Sequence, residues 1–88
     1  MKLKYSFVVN EVADQFVAVA VGDDLNQFNG FVKMNDTGAS IFDKLKEEIS
    51  LEDLIAAMQK EYPDETLETV TNCVNEFIDG LKAEGILE

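Results

Sequence analysis

The hydrophobic period of this chain changes once, and abruptly. Upstream of Met34 apolar residues tend to recur every second position. Downstream they recur every third or fourth, and the switch falls inside "GFVKMNDTGASIF", Gly30 to Phe42. A period of two sends alternate side chains to opposite faces of a strand, whereas a period near 3.6 lays them along one stripe of a helix. With almost no spacer between the two patterns, the last strand and the first helix must abut, so the helices pack directly on the sheet.

Before the switch, "YSFVVNEV" from Tyr5 to Val12 alternates Tyr5, Phe7 and Val9 against Ser6, Val8 and Asn10, the pattern of a half-buried strand. Ala13 and Asp14 supply a tight turn. "QFVAVAV", Gln15 to Val21, is apolar on both faces, which predicts the middle strand of the sheet. Gly22 to Gly30, "GDDLNQFNG", has the turn chemistry of a longer connection. Phe31 to Met34 then forms a short third strand whose Lys33 marks a sheet edge. Consecutive strands favour an antiparallel meander.

After the switch, Asn35 is an N-cap and Asp36 complements the positive helix end, with Ile41, Phe42, Leu45 and Ile49 at helical spacing. Ser50-Leu51-Glu52-Asp53 reads as a capping box opening a second helix, whose stripe is Leu51, Leu54, Ile55, Met58 and Tyr62 and which Pro63 ends. Asp64 is the expected cap of a third helix through Glu84, with Leu67, Val70, Val74, Phe77, Ile78 and Leu81 on one face. Gly85 falls where a left-handed residue closes a helix, and Ile86 where it would pack back on Leu81. The expected fold is α+β: a three-stranded antiparallel sheet followed by three helices.

At 88 residues and 47% hydrophobic, the chain supports one modest core but not a core plus an enclosed cofactor pocket. A single domain over residues 1–88, folded from about Tyr5 to Leu87 and with no cofactor of its own, is the expectation. Acidic residues outnumber basic ones 18 to 7, giving a net charge of −11 that repels phosphate backbones and argues against nucleic-acid binding. There is no histidine, which removes the commonest general base and metal ligand. Cys73 is alone, so it forms no internal disulfide and has no imidazole to activate it. The acidic pairs Asp23/Asp24, Glu47/Glu48 and Asp64/Glu65 lack the ligand spacing of a calcium loop, and the glycines lack a phosphate-binding spacing. These absences point away from an enzyme and from a metal site. No run approaches the roughly 18 apolar residues of a membrane span, and Met1 to Lys4 is not followed by a secretory apolar core. A cytoplasmic location is expected.

"MNDTGASIFDKL", followed by "SLEDLIAAMQKEYPDE" and "VTNCVNEFIDGLKAEGIL", resembles the pattern of the PqqD family, pyrroloquinoline quinone biosynthesis protein D. The most specific part is the strand-to-helix junction, carried here by Met34, Asn35, Thr37, Gly38, Ile41 and Phe42. Met34 stands where the family usually has Leu, Phe42 where Trp is common, and Glu47-Glu48 where an Asp-Gly turn often precedes the second helix. The resemblance implies a fold like a winged helix-turn-helix and a role as recognition element for the leader of a ribosomally made, enzymatically modified peptide. In the family the leader adds as an antiparallel strand to the third strand, in the cleft beside the third helix. Main-chain bonds then give register and side pockets give specificity.

Carried onto this sequence, the resemblance makes Phe31, Val32, Lys33 and Met34 the receiving edge. The facing wall comes from the third helix, with Val70, Thr71, Val74, Phe77 and Ile78 as its expected residues and Leu81 and Cys73 as further ones. A stripe at that spacing is more often core than wall, and the sequence does not choose among these residues; Lys33 serves equally as a solubilising edge charge. The implied partners are a precursor leader peptide and a modifying radical S-adenosylmethionine enzyme, whose cofactors are its own. The alternative is a winged-helix DNA-binding regulator, although from Asp64 to Glu84 the only basic residue is Lys82. A third is an assembly subunit without leader specificity.

Overall fold

The computed structural model describes residues 1–22 and 30–88, so most of the connection expected between Gly22 and Gly30 lies outside the described residues. Three strands, β1 (Phe7–Val12), β2 (Gln15–Ala20) and β3 (Phe31–Met34), precede three helices, α1 (Asp36–Lys44), α2 (Leu51–Glu61) and α3 (Leu67–Glu84). The sheet is an antiparallel meander in the order β1-β2-β3, with β2 in the middle as its two-faced apolar pattern requires. Ala13, at φ 58°, provides the turn between β1 and β2 in a region that L-residues rarely adopt.

One face of the sheet carries Phe7, Ala18, Ala20 and Met34, all buried against the helices. Phe7 stands edge-on to Phe42 of α1, ring centroids 5.2 Å apart, a favoured aromatic geometry that joins the two layers. Ile41, Phe42, Leu45, Leu54, Met58, Val74 and Ile86 fill the centre of the core and are essentially excluded from solvent. The opposite face of the sheet exposes Val8 and Val12.

Each helix start has a local chemical cause. Asn35 accepts the Gly38 N–H at 2.8 Å, and Ser50 accepts the Asp53 N–H at 3.1 Å, satisfying donors that a helix cannot satisfy internally. α3 begins two residues later than Asp64 would set it. Thr66 is the cap, its hydroxyl accepting the Thr69 N–H at 3.1 Å, because the turn after Pro63 is first closed by the Glu65 N–H on Tyr62 O. As its helix's first residue, Leu67 then projects beyond the packed stripe and is exposed, as is Leu51 at the start of α2. The far end of α3 follows expectation: Gly85 is left-handed at φ 74°, the Ile86 N–H reaches Leu81 O at 3.2 Å, and Ile86 is buried.

α1 stops at Lys44, short of Ile49: a longer helix would pair Leu45 O with the Ile49 N–H, but that amide donates to Met1 O at 3.0 Å and the Leu45 carbonyl is taken elsewhere. Leu3 N–H donates to Leu45 O at 2.9 Å, while Lys4 N–H donates to Ile86 O at 2.8 Å, so the first residues tie the end of α1 to the end of the chain. Leu3 is buried as a result, and ordered structure begins before Tyr5. α1 and α2 are further joined at the surface, where Glu61 accepts from Lys44 Nζ at 2.8 Å and from the Ser40 hydroxyl. Those two donors, Lys44 first, hold the Glu61 carboxyl below the usual carboxylate range. Among the described residues no helix is long and apolar enough to cross a membrane.

Candidate functional site: the edge of β3 and the groove along α3

The hydrogen-bond parity of the sheet follows from one bond and the register. Val21 N–H donates to Ser6 O at 3.1 Å, one step beyond the Phe7↔Ala20 pair, so Ser6 and Val21 form a bonded pair. Bonded and non-bonded pairs alternate along an antiparallel ladder, so Val17 and Val19 also turn their amide and carbonyl toward β1. Phe16 and Ala18 therefore turn theirs toward β3, where they meet Met34 and Val32. It follows that Val32 and Met34 bond inward to β2, while Phe31 and Lys33 direct their N–H and C=O groups away from the sheet. Among the described residues no strand lies on that side of β3.

The side chains of β3 sort by the same alternation. Met34 is buried and Val32 half-buried on the helix side, whereas Phe31, 59% exposed, and Lys33 face solvent. An aromatic left that exposed on a free edge has no folding role that burial would reward.

Beside this edge runs a groove made of three consecutive hollows. The first, ≈ 310 Å³, lies between Phe31, Val32 and Lys33 of β3 and Phe77, Gly80 and Leu81 of α3, with Glu76 and Glu84 at its rim. The second, ≈ 330 Å³, continues past Glu76 and Phe77 to Cys73 and the start of α1 at Asn35, Thr37 and Gly38. The third, ≈ 200 Å³, shares Thr37, Ile41 and Cys73 with the second and reaches Tyr62 and Glu65 after α2. A larger hollow of ≈ 430 Å³ among Lys2, Lys4, Lys46 and Glu88 shares no residue with the groove.

The junction "NDTG" shapes this groove. A Cβ on Gly38 would stand 2.9 Å from Phe77 Cε1, closer than side chains tolerate, so glycine lets the Phe77 ring lie against the first turn of α1. Phe77 thereby becomes the partition between the first two hollows. The tight junction packs α1 against both β3 and α3.

The residues expected from sequence divide by position. Phe31, Val32, Lys33 and Phe77 come together around the first hollow. Met34 sits beneath the sheet, 5% exposed. Val70 and Val74 reach only the floor of the third hollow and are buried, and Ile78, 4% exposed, lies in the core. Thr71 is half-buried and lines none of the three hollows. The groove side of α3 is a second stripe, Thr69, Cys73, Glu76, Phe77, Gly80 and Glu84, rotated from the core stripe. The signal for it in the sequence was Gly80, a helix-weakening residue inside an otherwise strong helical pattern.

The coenzyme PQQ synthesis protein D (PqqD) family model matches residues 15–87. This chain belongs to the PqqD family. The match takes in β2, β3, the junction and all three helices, the elements that line the groove among them. Among curated proteins none matches the chain. Among solved structures, TbiB1 in complex with the TbiA(beta) leader peptide superposes with a TM-score of 0.75 at 23% identity, covering 100% of this chain and 95% of TbiB1. That likeness shows that the two chains share a fold.

Proposed function

We propose that this PqqD-family chain captures the leader of a ribosomally made precursor peptide by strand addition to β3, without catalysing a reaction itself, and presents the precursor to a modifying enzyme. One observation carries the reading: the outward N–H and C=O groups of Phe31 and Lys33 stand beside a preformed groove along α3. An arriving antiparallel strand pairs with those two residues, and its alternate side chains enter the groove. Phe77, packed against the first turn of α1 at Gly38, gives the groove a fixed wall, which lowers the ordering cost of binding. TbiB1, of the same fold, was solved with a leader bound, which supports the same use of this fold here. A radical S-adenosylmethionine enzyme is the modifying partner that the family suggests. Duplex DNA is disfavoured, because the groove side of α3 presents Glu76 and Glu84 and the chain carries a net charge of −11.

The test is titration with the synthetic leader of the precursor encoded beside this chain's gene, with a DNA duplex run in parallel. Saturable leader binding that slows alkylation of Cys73, the chain's one thiol and a wall residue of two hollows, is the expected result. Duplex binding at physiological salt with no response to leader would overturn the proposal.

A further inference from the structure

Gly80 lies inside α3, one turn from its end, and is exposed. Glycine weakens a helix interior relative to alanine, so its presence calls for a cause. Two usual causes are absent. Its backbone φ is not in the left-handed range, unlike that of Gly85, and a Cβ built on it meets no atom within 4 Å. Gly38, by contrast, is demanded by Phe77. The space over Gly80 belongs to no residue described in this chain, and it opens into the hollow facing Val32.

Glu76, Gly80 and Glu84 follow one another at i, i+4 and i+8, forming a single ridge on the groove side of α3. Successive residues on that ridge rise about 6 Å. Two residues of extended chain advance about 6.6 Å, so alternate side chains of a strand laid along α3 stay in step with the ridge over three positions. Val32 bonds inward, so the residue opposite it on an added strand shares its face and points toward α3.

We propose that Gly80 is a specificity notch: it receives a large apolar side chain of the bound peptide, opposite Val32, and Glu76 and Glu84 pair with lysine or arginine two positions to either side. The peptide thus reads basic-x-large apolar-x-basic. This inference rests on the peptide-binding reading above. No ion pair engages Glu76 or Glu84 among the described residues, and the basic side chain nearest in the hollow, Lys33, projects from the solvent face of β3.

The experiment is selection of phage-displayed random 12-residue peptides on the whole chain and on Gly80→Ala, Gly80→Leu and the pair Glu76→Gln/Glu84→Gln, with a thermal melt of each protein. The wild type is expected to enrich an aromatic residue or leucine flanked at ±2 by Lys or Arg. Gly80→Ala and Gly80→Leu should melt higher, since both are better helix formers, so lost binding cannot be ascribed to unfolding. Gly80→Leu should bind the wild-type peptides about ten- to a hundred-fold more weakly, the value of burying one such side chain, and should itself enrich peptides with Gly, Ala or Ser at that position. The glutamine pair should lose the flanking cations and keep the apolar residue. Identical apolar preference on wild type and Gly80→Leu would overturn the notch while leaving peptide binding intact. Flanking cations that persist on the glutamine pair would overturn the acidic rim. No enriched sequence on folded wild type would overturn peptide binding and the notch together.

Discussion

Proline scanning of β3 tests both its edge and its parity. In Val32→Pro the inward N–H is lost and Ala18 O, on a fully buried residue, is left without its ladder partner. An unsatisfied buried acceptor costs about 1–3 kcal/mol, and the pyrrolidine ring enters the space between β2 and β3, so a total of about 3 kcal/mol or more is expected. A domain of this size has on the order of 4–13 kcal/mol in all, so Val32→Pro should be strongly destabilised or unfolded. Lys33→Pro removes a donor that faces away from the sheet, so its stability should change by less than about 1 kcal/mol. Its leader affinity should nevertheless fall about ten- to a hundred-fold, because one main-chain bond is lost and the ring occupies the approach path. Lys33→Ala, which keeps the N–H, separates the backbone effect from that of the side chain. Urea melts and leader titrations on the three variants read both quantities. A destabilised Lys33→Pro beside a stable Val32→Pro would refute the parity, and normal binding by both would refute strand addition at β3.

Phe77 is half-buried, so Phe77→Ala should cost less than the roughly 3–5 kcal/mol of a fully buried phenylalanine while weakening leader binding at least about tenfold; denaturant melts beside titrations decide, and full core-like destabilisation would remove it from the groove wall. Ala13→Gly should stabilise the β1–β2 turn by about 1 kcal/mol, because glycine tolerates the positive φ that alanine holds at 58°; a lower melting temperature would contradict that assignment of strain. Glu61 has its folded-state pKa lowered by Lys44 and Ser40, so its contribution is present above the unfolded carboxylate pKa and disappears as pH falls through the lower folded value. Glu61→Gln should therefore cost up to about 1 kcal/mol at pH 7, as expected of a partly exposed pair, and converge with wild type in acid; a difference that grows on acidification would be inconsistent with this linkage.

The change of period at Met34 was enough to determine the order of elements and the layering, because local periodicity reports which face of each element must be buried. Caps at Asn35 and Ser50 and the left-handed Gly85 were legible for a similar reason: they act within a few residues of themselves. What the tertiary structure alone decided is which stripe of α3 meets the core and which meets the groove. Val74 and Ile78 share helical spacing with Phe77, and only the placement of α1 and β3 turns the first two inward and leaves the ring at the groove. The same holds at the ends of elements. At the end of α1 a distant partner, the Leu3 amide, takes the Leu45 carbonyl. The parity of β3 depends likewise on the register of β2 with β1, so only pairing across strands turns the Val32 amide inward and the Lys33 amide out.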